Sequence, residues 1–289
     1  MNFLNKNLNI LACPVCKNNL EIKIIQESEQ KIIFGFLSCY SCKRKFEIKN
    51  NVPCLIPNIF NQINAYKEWN KKQKYGLEAY QNPDLNYKKY ISVIKKMFGN
   101  FCEHQGNVLD IGSGINNRLD YFDQRINEKV NFIGLDPLLG NKNRNYFFLQ
   151  GIGEYLPFLN ESIDQVIIAG TLDHFINPEI VLKEVKRVLK KGGEINIWIS
   201  IFNPDFQEKR DLIKRAFGLI KKGYIKRLVQ GIKQFSKEVF LKSEDKYHFN
   251  RFSEKEIILI FNKLKMEIKR FIILNENGKY LFLKVKKYE

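Results

Sequence analysis

No stretch of this chain is apolar for the roughly 18 residues that a membrane-crossing helix needs, and the opening MNFLNKNLNILACP has too short an apolar run for a secretory leader. The expectation is a cytoplasmic protein without a transmembrane segment. Histidine is scarce, with three in 289 residues, and arginine is outnumbered 38 to 10 by lysine. Specific phosphate recognition favours the bidentate guanidinium. A net charge of +17 therefore invites RNA or an anionic membrane surface as a partner, but a bias toward Lys, Asn and Ile accounts for it equally well. There are no internal repeats and no low-complexity tracts, which excludes a repeat architecture. The length suits one large domain and one small one.

The cysteines are concentrated at the start, in LACPVCKNNL and SCYSCKRKFEIKNNVPCLIP. In a reducing compartment such C-x-x-C pairs serve as metal ligands or redox groups, not disulfides. Cys13, Cys16, Cys39 and Cys42 supply the four thiolates of a tetrahedral zinc site. A thioredoxin-like redox pair comes once, in a βαβ setting that is absent here. With all four ligands protein sulfur, no coordination position stays open, so the zinc is structural. EIKII, KIIFGFL and KFEIK around the cysteines read as short strands. Cys54 and Cys102 read as ordinary buried thiols.

The expected organisation is a zinc-binding ribbon at residues 1–57, a helical connector at 58–100, and a main domain at 101–289. In the last, NVLDIG, NFIGLD, YFFLQ, DQVIIAG and EINIWIS are strands buried on both faces. A helix lies between the last two, with Asn177 as N-cap, Pro178 in its first turn, Leu182, Val185 and Leu189 on one face, and Gly192 and Gly193 ending it. This alternation predicts a doubly wound α/β sheet. A helical, strongly basic insertion at 203–247 is expected as a lid, or as a contact to membrane or RNA. A helix near Ser253–Leu264 and two strands that pair as a hairpin finish the chain.

VLDIGSGINNRLD runs a strand into a glycine turn. Gly112 and Gly114 let backbone approach a ligand, and Asp136, at the end of the next strand, can accept both hydroxyls of a ribose. Asn117 stands where a dinucleotide fingerprint has its third glycine, and Asp110 can hold an ammonium group. An adenosine ligand bearing an amino acid moiety, S-adenosylmethionine, fits better than a nicotinamide dinucleotide. His174 and its neighbour Asp173, in TLDHF after the fourth strand, are candidates to take a proton from an acceptor. His248 and Arg251 are candidates to hold the acceptor.

Residues 107–200 resemble the class I S-adenosylmethionine-dependent methyltransferases of the type 11 group, through VLDIGSG, GLDP and QGIGEYLPFLNESIDQVIIAGTLDHFINPEIVLKEVKRVLKKGGEINI. The resemblance implies a seven-stranded Rossmann-like sheet ending in an antiparallel hairpin. It also implies donor contacts from Asp110, Gly112, Gly114, Asp136, Gly151, Ile152 and Gly153. Ile152 replaces the family's acidic residue at the adenine, and Asn116 replaces a usual glycine. Leu11–Pro57 resembles the small zinc-binding activator protein of tRNA and protein methyltransferases, which implies docking against the main domain. The expected function is methyl transfer to an oxygen or nitrogen of a small-molecule, glycan or lipid-linked acceptor. The alternatives are RNA methylation aided by the zinc module, or a binding module that has lost its donor.

Overall fold

The computed structural model describes residues 3–29, 31–63, 65–81, 87–115, 130–140, 144–201, 248–275 and 279–288. The basic insertion, Asn116 and Asn117 lie outside the described residues. After a short helix α1 (Phe3–Asn7) comes an antiparallel sheet of β1 (Leu20–Ser28), β2 (Lys31–Cys39), β3 (Lys45–Lys49) and β4 (Val52–Pro53), paired in chain order. Alternation drives it: Phe46 and Ile48 of β3 are buried while Lys45, Glu47 and Lys49 are exposed. Helices α2 (Tyr66–Gln81) and α3 (Tyr87–Phe101) follow.

The second sheet has seven strands, β5 (Gly106–Ile111), β6 (Val130–Asp136), β7 (Phe147–Gln150), β8 (Ile163–Ala169), β9 (Leu189–Ser200), β10 (Met266–Asn275) and β11 (Lys279–Lys287). Their order is β10-β11-β9-β8-β5-β6-β7. Strands β5 to β9 pair in parallel, whereas β11 runs antiparallel to both β9 and β10. The expected sheet and its terminal hairpin are both present. From β5 the chain steps outward through β6 and β7 and then returns to β8 on the other side of β5. That reversal opens a crevice beyond the carboxyl end of β5, where ligands bind in open α/β sheets.

Both faces of the sheet are covered. Val108, Phe132, Ile167, Trp198 and Phe282 pack beneath Ile94, Phe98 and Phe101 of α3, so this helix is a layer on the sheet. Leu109, Ile111, Ile133 and Leu135 face the other way, onto Val181, Leu182 and Val185 of α4 (Pro178–Val188). Each such side chain contributes about 1.5–3 kcal/mol on burial. Asn177 caps α4, its Oδ1 accepting from the Ile180 N–H at 3.1 Å. A last helix, α5 (Glu254–Lys263), begins with a capping box between Ser253 and Glu256.

One sequence expectation is corrected. Gly192 and Gly193 do not end α4, which stops at Val188, and Leu189 is its extended C-cap, paired with Ile163. The glycines instead sit inside β9 beside a register shift. A Cβ on Gly193 would lie 2.9 Å from the Lys190 carbonyl oxygen and 3.0 Å from that of Asp164. Gly193 serves this close backbone approach, and Gly192 a φ of 72°, rather than a helix stop.

The two sheets share one apolar core, with Leu11, Leu20, Leu37 and Leu55 in the same buried cluster as Leu135, Leu149, Leu156 and Phe158. Backbone hydrogen bonds stitch them together: Ala12 N–H to the Pro157 carbonyl at 2.9 Å, Leu159 N–H to Ile10 at 2.9 Å and Leu55 N–H to Gln150 at 2.8 Å. Lys17, in the turn after the first cysteine pair, reaches α4 and pairs with Glu184 at 2.5 Å.

Candidate functional site

The four cysteines converge as their spacing requires. Cys13 and Cys42 sulfurs are 3.6 Å apart, Cys16 and Cys39 sulfurs 3.4 Å, and all four ligand atoms lie within 4.8 Å of one another. Four thiolates around zinc at about 2.3 Å stand roughly 3.8 Å apart, so these two pairs come within a few tenths of an ångström of that spacing and the whole set within about 1 Å. Cys54 and Cys102 lie outside it. Cys102 is buried, and burial pushes its thiol far above the ordinary range, as an inert core thiol requires.

At the carboxyl edge of the large sheet, β5 ends in a turn whose Gly112 and Gly114 have φ of 79° and 72°. A Cβ on Gly112 would stand 2.5 Å from the Thr171 methyl carbon, and Thr171 is itself held by a 2.9 Å hydrogen bond from its hydroxyl to the Ile111 carbonyl. Facing this loop, Asp136 Oδ2 accepts from the Gly114 N–H at 2.8 Å and Oδ1 from the Leu138 N–H at 2.7 Å. Burial pushes the Asp136 carboxyl up to about 6, against the lowering effect of those two bonds and of Arg144. Each oxygen keeps a second lone pair for a ligand.

Gly151, Ile152 and Gly153 line the same cleft, and Gly151 lets Leu135 approach to 2.9 Å of where a Cβ would be. Ile152 is buried against Phe60 and Trp69, which gives an apolar wall where the resembled family has an acid. Asp110 is fully buried on the α3 side of β5 and is not among the cleft-lining residues. Glu154 is also buried, and it accepts from the Ile176 and Asn177 N–H groups at 2.9 and 3.2 Å. It therefore fastens the loop after β8 to the cleft floor.

That loop carries the remaining candidates. His174 lines the cleft. The Phe249 and Asn250 N–H groups both donate to the Asp173 carbonyl at 2.8 Å, and the Asn250 side-chain amide donates to Phe175 O at 2.6 Å. This seam brings His248 to His174, with ring centroids 4.9 Å apart, and places Asp173 beside both. Arg251 is exposed. The cleft also has a wall that the sequence did not disclose: Trp69, Lys72, Gln73 and Gly76 of α2, with Trp69 Nε1 donating to the His174 carbonyl at 3.1 Å. The aromatic pair Tyr66 and Trp69 at helical spacing was the available signal.

Comparison with known proteins follows these two features. Residues 109–197 match a family described as a methyltransferase domain, and residues 6–51 match the Trm112p-like proteins. The chain is similar to the ubiquinone/menaquinone biosynthesis C-methyltransferase UbiE of Wigglesworthia glossinidia brevipalpis, 27% identical over 182 residues, covering 58% of this chain and 65% of that protein. It is also similar to a UPF0434 protein of Dechloromonas aromatica, 33% identical over 58 residues, covering 20% of this chain and 86% of that one. Among solved structures, the Burkholderia thailandensis 1,6-didemethyltoxoflavin-N1-methyltransferase aligns with a TM-score of 0.49 at 11% identity, over 93% of this chain and 100% of that one. The chain spans less than two thirds of the length of the first curated relatives it matches. The chain thus carries a Trm112p-like domain at residues 6–51 and a methyltransferase domain at residues 109–197.

Proposed function

We propose that the chain is an S-adenosylmethionine-dependent methyltransferase acting on an oxygen or nitrogen of a small-molecule, glycan or lipid-linked acceptor. One observation carries this reading: two left-handed glycines at the end of β5 stand opposite a buried carboxylate at the end of β6. In this reading the cleft floor at Gly151–Gly153 takes the adenine against Ile152, and Asp136 holds the ribose hydroxyls with its remaining lone pairs. Asp110 acts from beneath the glycine turn on the amino acid moiety. Bound in this way, the donor supplies an electrophilic methyl on a sulfonium.

The protein's part is then alignment and proton removal. The acceptor's lone pair forms the new bond to the methyl carbon as the sulfur–carbon bond breaks, and the acceptor's proton leaves at the Asp173, His174 and His248 end of the cleft. The relative named for ubiquinone and menaquinone biosynthesis and the scarcity of arginine favour a small or lipid-like acceptor over RNA. The Trm112p-like module acts in cis, bracing the segment after β7 that floors the cleft.

Calorimetric titration of the zinc-loaded protein with S-adenosylmethionine tests this, with one donor bound per chain expected. The pH dependence is a finer check. Asp136 has a folded-state value of about 6, above the ordinary carboxylate value of 3.8, so folding stability from this group falls as pH rises toward 6. Donor binding needs the ionised form and runs the other way. Affinity should be about tenfold weaker at pH 5 than at pH 7, and the Asp136→Asn protein should bind weakly at both. Undiminished affinity in the Asp136→Asn protein at both pH values would remove Asp136 from the ribose site.

A further inference from the structure

We infer that Asp173, His174 and His248 form a second metal site, for a divalent transition cation such as zinc, cobalt or iron, at the acceptor end of the cleft. The ligand atoms of the three residues lie within 4.8 Å of one another. His174 Nε2 is 3.7 Å from Asp173 Oδ1, and His248 Nε2 is 3.8 Å from Asp173 Oδ2. These separations are too long for hydrogen bonds. They are close to the roughly 3.4 Å between two donors on a tetrahedral cation with bonds of about 2.1 Å. Every pair in the set lies inside 4.8 Å, so the ligands need draw together by at most about 1.4 Å to reach that spacing.

Asp173 gives an independent reason. Its side chain is 10% exposed, and its Oδ1 is buried with no hydrogen-bond partner among the described residues. A buried carboxylate oxygen left without a donor is costly, and an ion is one of the few things that account for it. The site is also built and not accidental. Backbone hydrogen bonds from Phe249 and Asn250 fix the position of His248 against Asp173, and Trp69 fixes the His174 backbone from α2. The imidazoles, 31% and 37% exposed, leave an entry path.

Two imidazoles and one carboxylate select a transition metal over magnesium or calcium. Three protein ligands leave at least one position open, the mark of a reactive site and the opposite of the saturated four-cysteine clip. His174 belongs to the cleft wall, so an acceptor hydroxyl or carboxylate oxygen can take the open position. This deepens the methyl-transfer reading and rests on it only for the role of the cation. The imidazoles would then be ligands and not bases, and the hydroxyl proton would be released because the cation acidifies it.

The test uses no methyl donor, so its failure is distinct from failure of donor binding. The full chain, with its cysteine clip filled by one equivalent of zinc, is titrated with cobalt(II) and followed by visible absorption. The expected result is one further equivalent, saturable, with ligand-field bands and no sulfur-to-cobalt charge transfer. His248→Ala and Asp173→Asn should each weaken it by at least about a hundredfold. The half-exposed His248 makes the first of these a test that does not disturb the core. Absence of a second equivalent, cobalt seen only with thiolate charge transfer, or unchanged binding in both variants would overturn the assignment.

Discussion

Replacing Cys39 by serine should empty the clip of zinc and loosen much more than the small sheet. Cys39 is buried at the end of β2 and its sulfur stands 3.4 Å from that of Cys16. Three thiolates and a hydroxyl do not replace four thiolates, and the binding free energy of a structural zinc is folding free energy. The small sheet has no separate core to fall back on, because Leu11, Leu37 and Leu55 are buried with Leu149, Leu156 and Phe158 of the larger one. Metal analysis should show one zinc per chain fewer than in the unsubstituted protein. The thermal transition should drop by roughly 10 °C or more, at about 2–4 °C per kcal/mol for a domain of this size. Donor affinity should fall with it, since Ala12 and Leu55 hydrogen-bond to Pro157 and Gln150 on either side of the cleft floor. An undiminished zinc content would show the ligand assignment to be wrong, and loss of the clip's zinc with undiminished donor affinity would show that the module does not brace the cleft.

Gly112→Ala is the second large effect, and it acts at the cleft itself. Alanine at φ of 79° costs about 1–2 kcal/mol. Its Cβ would lie 2.5 Å from the Thr171 methyl carbon, and relieving such an overlap costs about 1–3 kcal/mol more. Thr171 cannot yield freely, being hydrogen-bonded to the Ile111 carbonyl, so the turn moves toward the cleft. A loss of donor affinity of at least tenfold is expected by calorimetry, with stability reduced by about 2–5 kcal/mol. Partial recovery of binding in the Gly112→Ala/Thr171→Ser double variant, which removes the struck methyl group but keeps the Thr171 Cβ and Oγ1 positions 2.8 and 2.9 Å away, would identify the overlap as a cause.

What could be read in advance follows from how local each constraint is. The four cysteines were legible because a tetrahedral ion forces two short turns, each written within four residues. Gly112, Gly114 and Asp136 were legible because a tight turn and a strand end are likewise short-range. Gly192 and Gly193 were misread because glycine serves a helix stop and a close backbone crossing equally well, and only the pairing of Leu189 with Ile163 decides between them. The α2 wall and the meeting of His174 with His248 were not legible as an arrangement. They depend on contacts such as Phe249 N–H to the Asp173 carbonyl, which join residues far apart in the chain. The two histidines were each visible as candidates, but their partnership with one buried carboxylate was not.

The central claim is that the glycine turn and Asp136 make a site for S-adenosylmethionine. Titration calorimetry on the zinc-loaded full chain at pH 7 addresses it most directly. The account predicts saturable binding of one donor per chain, weakened at least tenfold by Gly112→Ala. No detectable heat or competition from the zinc-loaded, folded protein would contradict it.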